Sequence, residues 1–269
     1  GEERLVVRHD PSKLGRTLHT LLHDYALQKR LSVSRAIFRE YDIRGVVGSE
    51  LTNTALESLG RAFGTYIRRR AGRRQIVVGR DSRPSSDPFG EAAIQGLMRS
   101  GCEVIDIGQV PTPVTSFAVN HFWVDGAVQI TASHNPAEFN GLKLQVGMEA
   151  LAGEELQKVE RLIASGSFAS GRGERLVRDV IYPYINCIQH KVELSEPFKV
   201  AVDAGNGVGG PLAVRLLREL GCGVVPLYCE PDGTFPNHPP NPSEAENLAE
   251  LAKVVVEEEC DVGIAFDGD

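Results

Sequence analysis

A serine with the surroundings of a reactive hydroxyl stands in residues 131–136, Thr-Ala-Ser-His-Asn-Pro, which we call the serine loop. The apolar segment Gly126–Ile130 in front of it predicts a buried strand, and its Asn-Pro pair predicts a turn. Ser133 therefore lies on a turn, with the imidazole of His134 beside it. Such a hydroxyl can be phosphorylated or act as a nucleophile, although many turn serines only bond their own backbone.

Two carboxylates stand close together in residues 266–269, Phe-Asp-Gly-Asp, which we call the acidic turn. Asp267 and Asp269 flank a glycine after an apolar strand and can face one hard cation. Mg²⁺ combines few carboxylates with phosphate oxygens and water, so a phosphorylated Ser133 would complete its shell. The pair favours a phosphoserine opposite a divalent metal, with a further ligand expected after Asp269. The alternative is an ordinary Asp-Gly turn.

Basic side chains occur where they could meet a phosphate. Lys143 lies ten residues after Ser133, and a strand running back from the serine loop would bring its ammonium group to the serine. There it could neutralise a phosphate of about −1.5 to −2 charges or exchange a proton with a substrate hydroxyl. Two further loops at strand ends carry arginines: Arg39 and Arg44 in Phe38–Gly45, and Arg80 and Arg83 in Gly79–Pro84. Arginines suit phosphate oxygens, and although each loop alone could be merely salt-bridged, together they predict one shared cleft.

Composition narrows the class of protein. The chain has 269 residues, of which 42% are hydrophobic and 24% charged, and its net charge is −7. This acidic balance argues against nucleic acid or an anionic membrane as the main partner. The five cysteines are scattered without a Cys-x-x-Cys pair, which predicts reduced thiols rather than a zinc site or disulfides. No apolar run in the sequence approaches the roughly 20 residues needed to span a bilayer, and we expect a cytoplasmic protein.

The elements that must position these groups follow from hydrophobic periodicity. Short apolar strands alternate with helical segments, which is typical of βαβ units and a largely parallel sheet. The predicted strands are Gln75–Gly79, Glu103–Ile107, Gly126–Ile130, Leu142–Val146, Phe198–Val202, Gly223–Tyr228 and Val262–Phe266. The predicted helices are Leu51–Arg70, Pro88–Ser100, Pro113–Phe122, Gly153–Ser165, Leu176–Lys191, Val208–Leu220 and Ser243–Glu258.

A repeated strand–helix–strand unit predicts two similar domains in tandem. The Gly/Ser-rich segment Gly166–Gly173 reads as a linker between them. We therefore expect an α/β protein with two tandem βαβ domains of mixed or parallel sheet, residues 34–175 and 176–269. Residues 1–33 would form an N-terminal extension with a short amphipathic helix.

One motif supports a different class of protein. Residues 205–210, Gly-Asn-Gly-Val-Gly-Gly, match the dinucleotide-binding fingerprint, and Glu230 follows at the distance of a ribose-binding acid. Against an NAD-binding domain, the negative charge of Asp203 just before the glycines disfavours a pyrophosphate. The chain also carries no residues typical of hydride transfer. A structural turn at a helix N-terminus is the favoured interpretation, with a dinucleotide-binding domain as the alternative.

Taken together, the motifs resemble the α-D-phosphohexomutase superfamily, in particular its bacterial phosphomannomutase/phosphoglucomutase branch. The resemblance covers about residues 34–269. The segments that carry it, in family order, are Phe38–Gly45, Gly79–Pro84, Thr131–Pro136, Gly141–Lys143, Asp203–Gly210 and Asp267–Asp269. The first of them, and the Thr-Ala pair of the serine loop, favour the mannomutase/glucomutase branch over phosphoglucosamine mutases.

The resemblance implies an enzyme that moves phosphate between the 1- and 6-positions of mannose or glucose through a bound 1,6-bisphosphosugar. Ser133 matches the family's phosphoserine. Asp267 and Asp269 match two of the three aspartates that hold Mg²⁺ together with an oxygen of that phosphoserine. The resemblance therefore implies Mg²⁺ as cofactor and hexose phosphates as substrates.

It also implies roles for the basic and aromatic residues nearby. Lys143 matches the general acid/base, and Arg44 matches an arginine that assists proton transfer. Tyr41 lines the same cleft, so that Tyr41, Arg44 and Lys143 would bind substrate. His134 matches the histidine beside the phosphoserine.

The family has four domains, and the resemblance places this chain in the first two. A third domain that reads sugar hydroxyls and a fourth that clamps the second phosphate have no counterpart in the sequence. We therefore expect a catalytically incomplete N-terminal portion, inactive alone as a mutase. The alternative is a non-catalytic fragment of the same fold that binds sugar phosphates.

Overall fold

A computed structural model describes residues 33–70 and 74–269, so the helix expected near the N-terminus lies outside the described residues. The strands are β1 (Ile43–Val46), β2 (Gln75–Arg80), β3 (Glu103–Gln109), β4 (Gly126–Ile130), β5 (Phe139–Val146), β6 (Glu149–Ala150), β7 (Arg175–Val177), β8 (Lys199–Asp203), β9 (Gly223–Leu227) and β10 (Val262–Ala265). The α-helices are α1 (Asn53–Arg70), α2 (Ser86–Arg99), α3 (Thr112–Phe122), α4 (Gly153–Ser165), α5 (Ile181–Gln189), α6 (Gly210–Glu219) and α7 (Ala249–Glu257). Within this part of the chain, no helix is long and apolar enough to cross a membrane.

The first sheet is mixed and carries the serine loop at one end. Its strand order is β1-β5-β4-β2-β3-β7, with β6 paired to β5. Strands β4, β2, β3 and β7 run parallel to one another, while β5 is antiparallel to both β4 and β1. Helices α1, α2 and α4 pack on one face around Phe63 and Ile94. Helix α3 packs on the other face around Val114. The carboxyl ends of β2 and β4 therefore lie side by side and position the loops that follow them.

The second sheet is smaller and wholly parallel. Its order is β10-β8-β9, and a compact core forms between it and helix α6 around Val202 and Ala213. The acidic turn leaves this sheet directly after β10. An α/β class with one mixed and one parallel sheet confirms the fold class expected from the sequence.

Several elements differ from the sequence-based expectations. The short strand β1 lies inside a segment expected to be a loop, and the expected helix 243–258 divides into a 3₁₀ turn over Ala245–Leu248 followed by α7. The helix expected from Leu176 begins only at Ile181, because residues 175–177 form β7 beside β3. The expected linker 166–173 runs along the end of α2, where its backbone bonds the carbonyl groups of Met98 and Arg99. The division into two domains stays a prediction.

An ion-pair cluster explains why the chain forms β7. The buried carboxylate of Asp106 in β3 pairs with Arg80 at 2.8 Å and also with Arg175 in β7. Burial alone would raise the pKa of Asp106, but the N–H of Gly108 and the two guanidinium groups outweigh burial and lower that pKa. The ion pairs of Asp106 therefore hold the edge strand β7 against β3. Hydrophobic periodicity gives no information about such pairs.

This network predicts acid-sensitive stability. Because the pKa of Asp106 is lowered on folding, its contribution is complete above the ordinary aspartate pKa of about 3.9 and is lost as the pH falls through the lower folded value. Asp106→Asn should lower the free energy of unfolding by about 3 kcal/mol near neutral pH, measured by urea unfolding, and the deficit should shrink in acid. Asp87→Asn is the control, since Asp87 pairs with Arg80 from an exposed position. Equal deficits at neutral and acid pH would contradict the assignment.

Candidate active site

The serine loop leaves β4 with an uncommon backbone conformation. Ser133 has a φ of 55°, a left-handed value that is rare for residues other than glycine and often marks functional sites. Its backbone N–H bonds Oγ1 of Thr131 at 2.9 Å. Its own Oγ donates to Oδ2 of Asp267 at 2.5 Å. The hydroxyl is thus held toward the acidic turn, as the sequence predicts.

Arg83 holds the serine loop in place from inside the protein. Its side chain is fully buried, and its Nε bonds Oδ2 of Asp81 at 3.1 Å. The two terminal nitrogens donate to four carbonyl oxygens, those of Ser133 at 2.8 Å, Asn135 at 2.6 Å, Pro136 at 2.6 Å and Phe139 at 2.9 Å. All five N–H bonds of the guanidinium therefore have acceptors. The ring of Phe235 covers the guanidinium at 5.0 Å.

The acidic turn approaches the serine loop so closely that the residue between Asp267 and Asp269 has to be a glycine. A Cβ on Gly268 would lie 2.7 Å from the carbonyl oxygen of Ser133, which is closer than atoms without a bond can approach. Substituting Gly268 would therefore push the acidic turn away from the serine. The contact makes the glycine a steric requirement of the site.

The glycine-rich segment 205–210 serves packing rather than opening a cradle for a ligand. A Cβ on Gly207 would lie 2.8 Å from the carbonyl oxygen of Asp267, so the acidic turn fills the space beside this segment. The carboxylate of Asp203 is buried and accepts the N–H of Gly205 at 2.8 Å. Glu230 uses its backbone oxygen to bond the side chain of Asn206 at 2.9 Å. These contacts favour the structural interpretation over a dinucleotide site.

Lys143 reaches the site as expected but meets a different partner. Strand β5 returns antiparallel to β4, and Nζ of Lys143 lies 2.7 Å from Oδ2 of Asp269. Thr112 at the start of α3 also donates its hydroxyl to this carboxylate. Burial alone would raise the pKa of Asp269, but Lys143 and these hydrogen bonds lower it overall. The ammonium group expected to face the serine is therefore paired with the second carboxylate.

The other expected site residues surround the serine at different distances. Arg44 is oriented by Asp42 at 2.6 Å, by Oδ1 of Asn135 at 2.8 Å and by the carbonyl of Ala132 at 3.2 Å. Nδ1 of His134 is 3.9 Å from Oδ2 of Asp267. Tyr41 is 66% exposed at the rim. The hydrogen bond that its hydroxyl donates to Glu40, together with the negative charge of Glu40, raises the pKa of Tyr41.

Two arginines from the expected phosphate cleft have structural partners instead. Arg80 pairs with Asp87 at 2.5 Å and with Asp106 at 2.8 Å, and Arg83 is the buried clamp of the serine loop. The salt-bridged alternative therefore holds for this loop. Arg83 could be identified from the sequence as an arginine in a loop after a strand. No sequence pattern indicated that it would bond four carbonyl groups. Thr112, which directly precedes the predicted helix Pro113–Phe122, was not singled out by any sequence pattern.

The donor set of the site consists of hard oxygen atoms. Ser133 Oγ and the carboxylates of Asp267 and Asp269 converge, and such ligands suit Mg²⁺. Within residues 33–70 and 74–269, no group of three His, Cys, Asp or Glu side chains could hold a metal by itself. Ser133, Asp267 and Asp269 thus fit Mg²⁺ as part of a ligand set. One oxygen of Asp269 is already engaged by Lys143.

Comparisons with protein families match nearly all of the described chain. The family model described as phosphoglucomutase/phosphomannomutase, alpha/beta/alpha domain I, matches residues 35–170. The model for alpha/beta/alpha domain II of the same family matches residues 182–269. The first match contains the serine loop and the second contains the acidic turn.

Individual relatives give the same result. A phosphomannomutase/phosphoglucomutase of Pseudomonas aeruginosa is 44% identical over 241 residues, covering 90% of this chain and 52% of the relative. A phosphoglucomutase of Neisseria gonorrhoeae is 40% identical over 240 residues, covering 88% and 52%. The crystal structure of a phosphoglucomutase/phosphomannomutase family protein from Burkholderia thailandensis superposes with a TM-score of 0.85 at 40% identity, covering 88% of this chain and 54% of that one. The chain therefore spans about half the length of the curated relatives it matches.

The contacts of Arg83 with the serine loop predict that replacing it with lysine, which keeps the charge, lowers the stability of the protein. In Arg83→Lys, the compact ammonium group cannot reach four carbonyl oxygens, and buried acceptors are left without donors at about 1–3 kcal/mol each. We expect the free energy of unfolding to fall by at least about 3 kcal/mol, with faster amide hydrogen exchange in residues 133–139.

Arg99→Lys is the matched control, because Arg99 pairs with Glu57 on the surface and surface pairs contribute only about 0–1 kcal/mol. Urea unfolding and hydrogen exchange of both variants make the comparison. If Arg83→Lys were as stable as Arg99→Lys and its serine loop exchanged no faster, the clamp would not hold the loop.

Proposed function

The chain belongs to the phosphoglucomutase/phosphomannomutase family of the α-D-phosphohexomutase superfamily, and on this premise we propose that it supplies the phosphoserine half of a hexose-phosphate mutase. The substrates would be the 1- and 6-phosphates of mannose or glucose, with a 1,6-bisphosphosugar as bound intermediate. The observation that carries the proposal is the 2.5 Å contact between Ser133 Oγ and Asp267 in a loop that Arg83 fixes. Because the chain spans about half the length of its relatives, its activity is to be tested in the complete protein.

Each transfer step exchanges one phosphorus–oxygen bond for another. A free hydroxyl oxygen of the bound hexose monophosphate attacks phosphorus on phosphorylated Ser133. The bond from phosphorus to Ser133 Oγ breaks, and a 1,6-bisphosphosugar results. After this intermediate turns round, Ser133 Oγ attacks its other phosphate, which restores the phosphoserine and releases the isomeric monophosphate. Atoms balance over the cycle, and no co-reactant is consumed.

Lys143 is the proposed proton carrier of these steps. As a free amine it would take the proton of the attacking hydroxyl, and as ammonium it would return a proton to the oxygen that leaves phosphorus. The contact between its Nζ and Oδ2 of Asp269 at 2.7 Å holds the side chain of Lys143 beside the acidic turn. Arg44 would assist from its place against the serine loop, since only two of its guanidinium nitrogens, Nε and Nη1, bond Asp42, Asn135 and Ala132.

Negative charge on the transferring phosphoryl group needs stabilisation in this reaction. We propose that an oxygen of phosphorylated Ser133, Asp267 and Asp269 hold Mg²⁺, which when bound would neutralise part of that charge. His134 is close enough to orient the phosphate, and Tyr41 at the rim would contact the sugar. Both roles and the cytoplasmic location stay predictions.

Removing the proposed phosphate carrier tests the function. Ser133→Ala should abolish interconversion of glucose 1-phosphate and glucose 6-phosphate, and of the mannose phosphates, because no oxygen remains to accept the phosphoryl group. The measurement is steady-state turnover of the complete protein, with circular dichroism to show that the variant folds. Ser167→Ala, at an exposed serine far along the chain, is the control. Turnover that survives Ser133→Ala would contradict the mechanism.

Removing the proposed proton carrier should give a smaller, defined loss. Lys143→Met should lower kcat by about 10²–10⁴-fold, the usual contribution of general acid–base catalysis, with a smaller change in KM. Lys158→Met, at an exposed lysine paired with Glu155, should leave both constants unchanged. A Lys143→Met enzyme with normal kcat would rule out the assigned role.

A further inference from the structure

A buried contact between a carboxylate and a histidine ring lies behind the acidic turn and has no role in the chemistry proposed above. Asp203 ends strand β8, and its side chain is 1% exposed. Both of its carboxylate oxygens lie 3.1–3.2 Å from Nε2 of His238, and one also accepts the N–H of Gly205. A buried carboxylate without a cationic partner would strongly destabilise the fold. His238 is therefore the side chain that supplies Asp203 with a partner there.

Both nitrogens of the His238 ring face acceptors. Nδ1 lies 2.8 Å from the carbonyl oxygen of Pro239, while Nε2 faces Asp203. The ring is therefore held between the carboxylate of Asp203 and the backbone of Pro239. The ring of Tyr228 packs edge-on against the imidazole at 5.5 Å. The His238 ring is thus fixed on three sides.

The contact between His238 and Asp203 connects two segments of the chain that support the acidic turn. On one side, the backbone oxygen of Asp203 accepts the N–H of Phe266 at 2.9 Å and so aligns the chain that leads into the turn. On the other side, Pro240 lies against Gly268, where a Cβ would be 3.4 Å from its Cγ. The ring of His238 contacts Asp203, and Pro239 connects its backbone to Pro240. His238 therefore links both supports.

We propose that His238 is a positioning residue for the acidic turn, which it holds in the arrangement that binds a divalent cation. The inference rests on the proposed function, because it assumes that Asp267 and Asp269 receive Mg²⁺. His238 itself touches neither substrate nor cation. Residues that orient metal ligands from behind typically change metal affinity by about 10–100-fold when they are removed. Cation affinity should therefore fall in a His238 variant that still folds.

Isothermal titration of the complete protein with MgCl₂ tests this inference without an activity assay. His238→Ala should raise the Kd for Mg²⁺ by at least about tenfold. The thermal unfolding midpoint, recorded in parallel, should also fall because the buried Asp203 loses its partner, so the titration is run well below that midpoint. His190→Ala is the matched control, since His190 is exposed and its ring bonds the carbonyl of Asn186 within its own helix. The control should bind Mg²⁺ like the unmodified protein.

The outcomes separate the inference from the proposed function. A folded His238→Ala protein that binds Mg²⁺ as tightly as the control overturns the inference. If His238→Ala does not fold, His238→Gln decides in the same way, because its amide can still donate to Asp203 but not also to the carbonyl of Pro239. An unmodified protein that fails to bind Mg²⁺ would overturn the proposed metal site, and this inference with it. Turnover that survives Ser133→Ala would overturn the proposed reaction alone.

Discussion

The buried guanidinium of Arg83 is the interaction on which the site depends. The serine loop belongs to no strand or helix, so its carbonyl groups lack the partners that regular structure supplies, and buried groups without partners are costly. Arg83 provides three of them with N–H donors, a fourth N–H bonds the carbonyl of Phe139 at the start of β5, and Asp81 accepts the fifth. The left-handed backbone of Ser133, which costs roughly 1–3 kcal/mol, persists because this clamp over-determines it.

The clamp also links the two sheets. Phe235, from the segment between β9 and α7, covers the guanidinium, and Gly268 after β10 packs on the carbonyl of Ser133. The carboxyl ends of both sheets thus converge on one hydroxyl. Ser133 and Asp267, 134 residues apart in the sequence, come within hydrogen-bonding distance because the end of β4 in one sheet meets the end of β10 in the other.

Local patterns predict which residues would carry the proposed chemistry. The strand before Ser133, the returning strand of Lys143 and the turn of Asp267 and Asp269 each follow from a few neighbouring residues, and the structure brings them together. Their partners were less predictable. Lys143 could be expected near the serine, but its pairing with Asp269 depends on how the second sheet approaches the first, and hydrophobic periodicity says nothing about that approach.

The features missed by the sequence analysis depend on contacts between distant residues. Arg83 could be recognised as a loop arginine, but a phosphate and a set of carbonyl oxygens are equally good acceptors for it, and only the folded loop decides between them. Strand β7 exists because Arg175 meets Asp106, and three residues are too short for a periodic pattern. His238 lies in a proline-rich loop without a recognisable motif, and its role follows only from its place behind the acidic turn.

The central claim is that Ser133 carries a transferable phosphoryl group, and the most direct measurement is transfer of labelled phosphate. The complete protein, first treated with phosphatase, would be mixed with glucose 1,6-bisphosphate labelled in its phosphates, and the labelled peptide would be identified by mass spectrometry. We predict one phosphoryl group on Ser133, which moves back to the sugar when unlabelled glucose 1-phosphate is added. Label on another residue, or a Ser133 phosphate that cannot be transferred to the sugar, would contradict the claim.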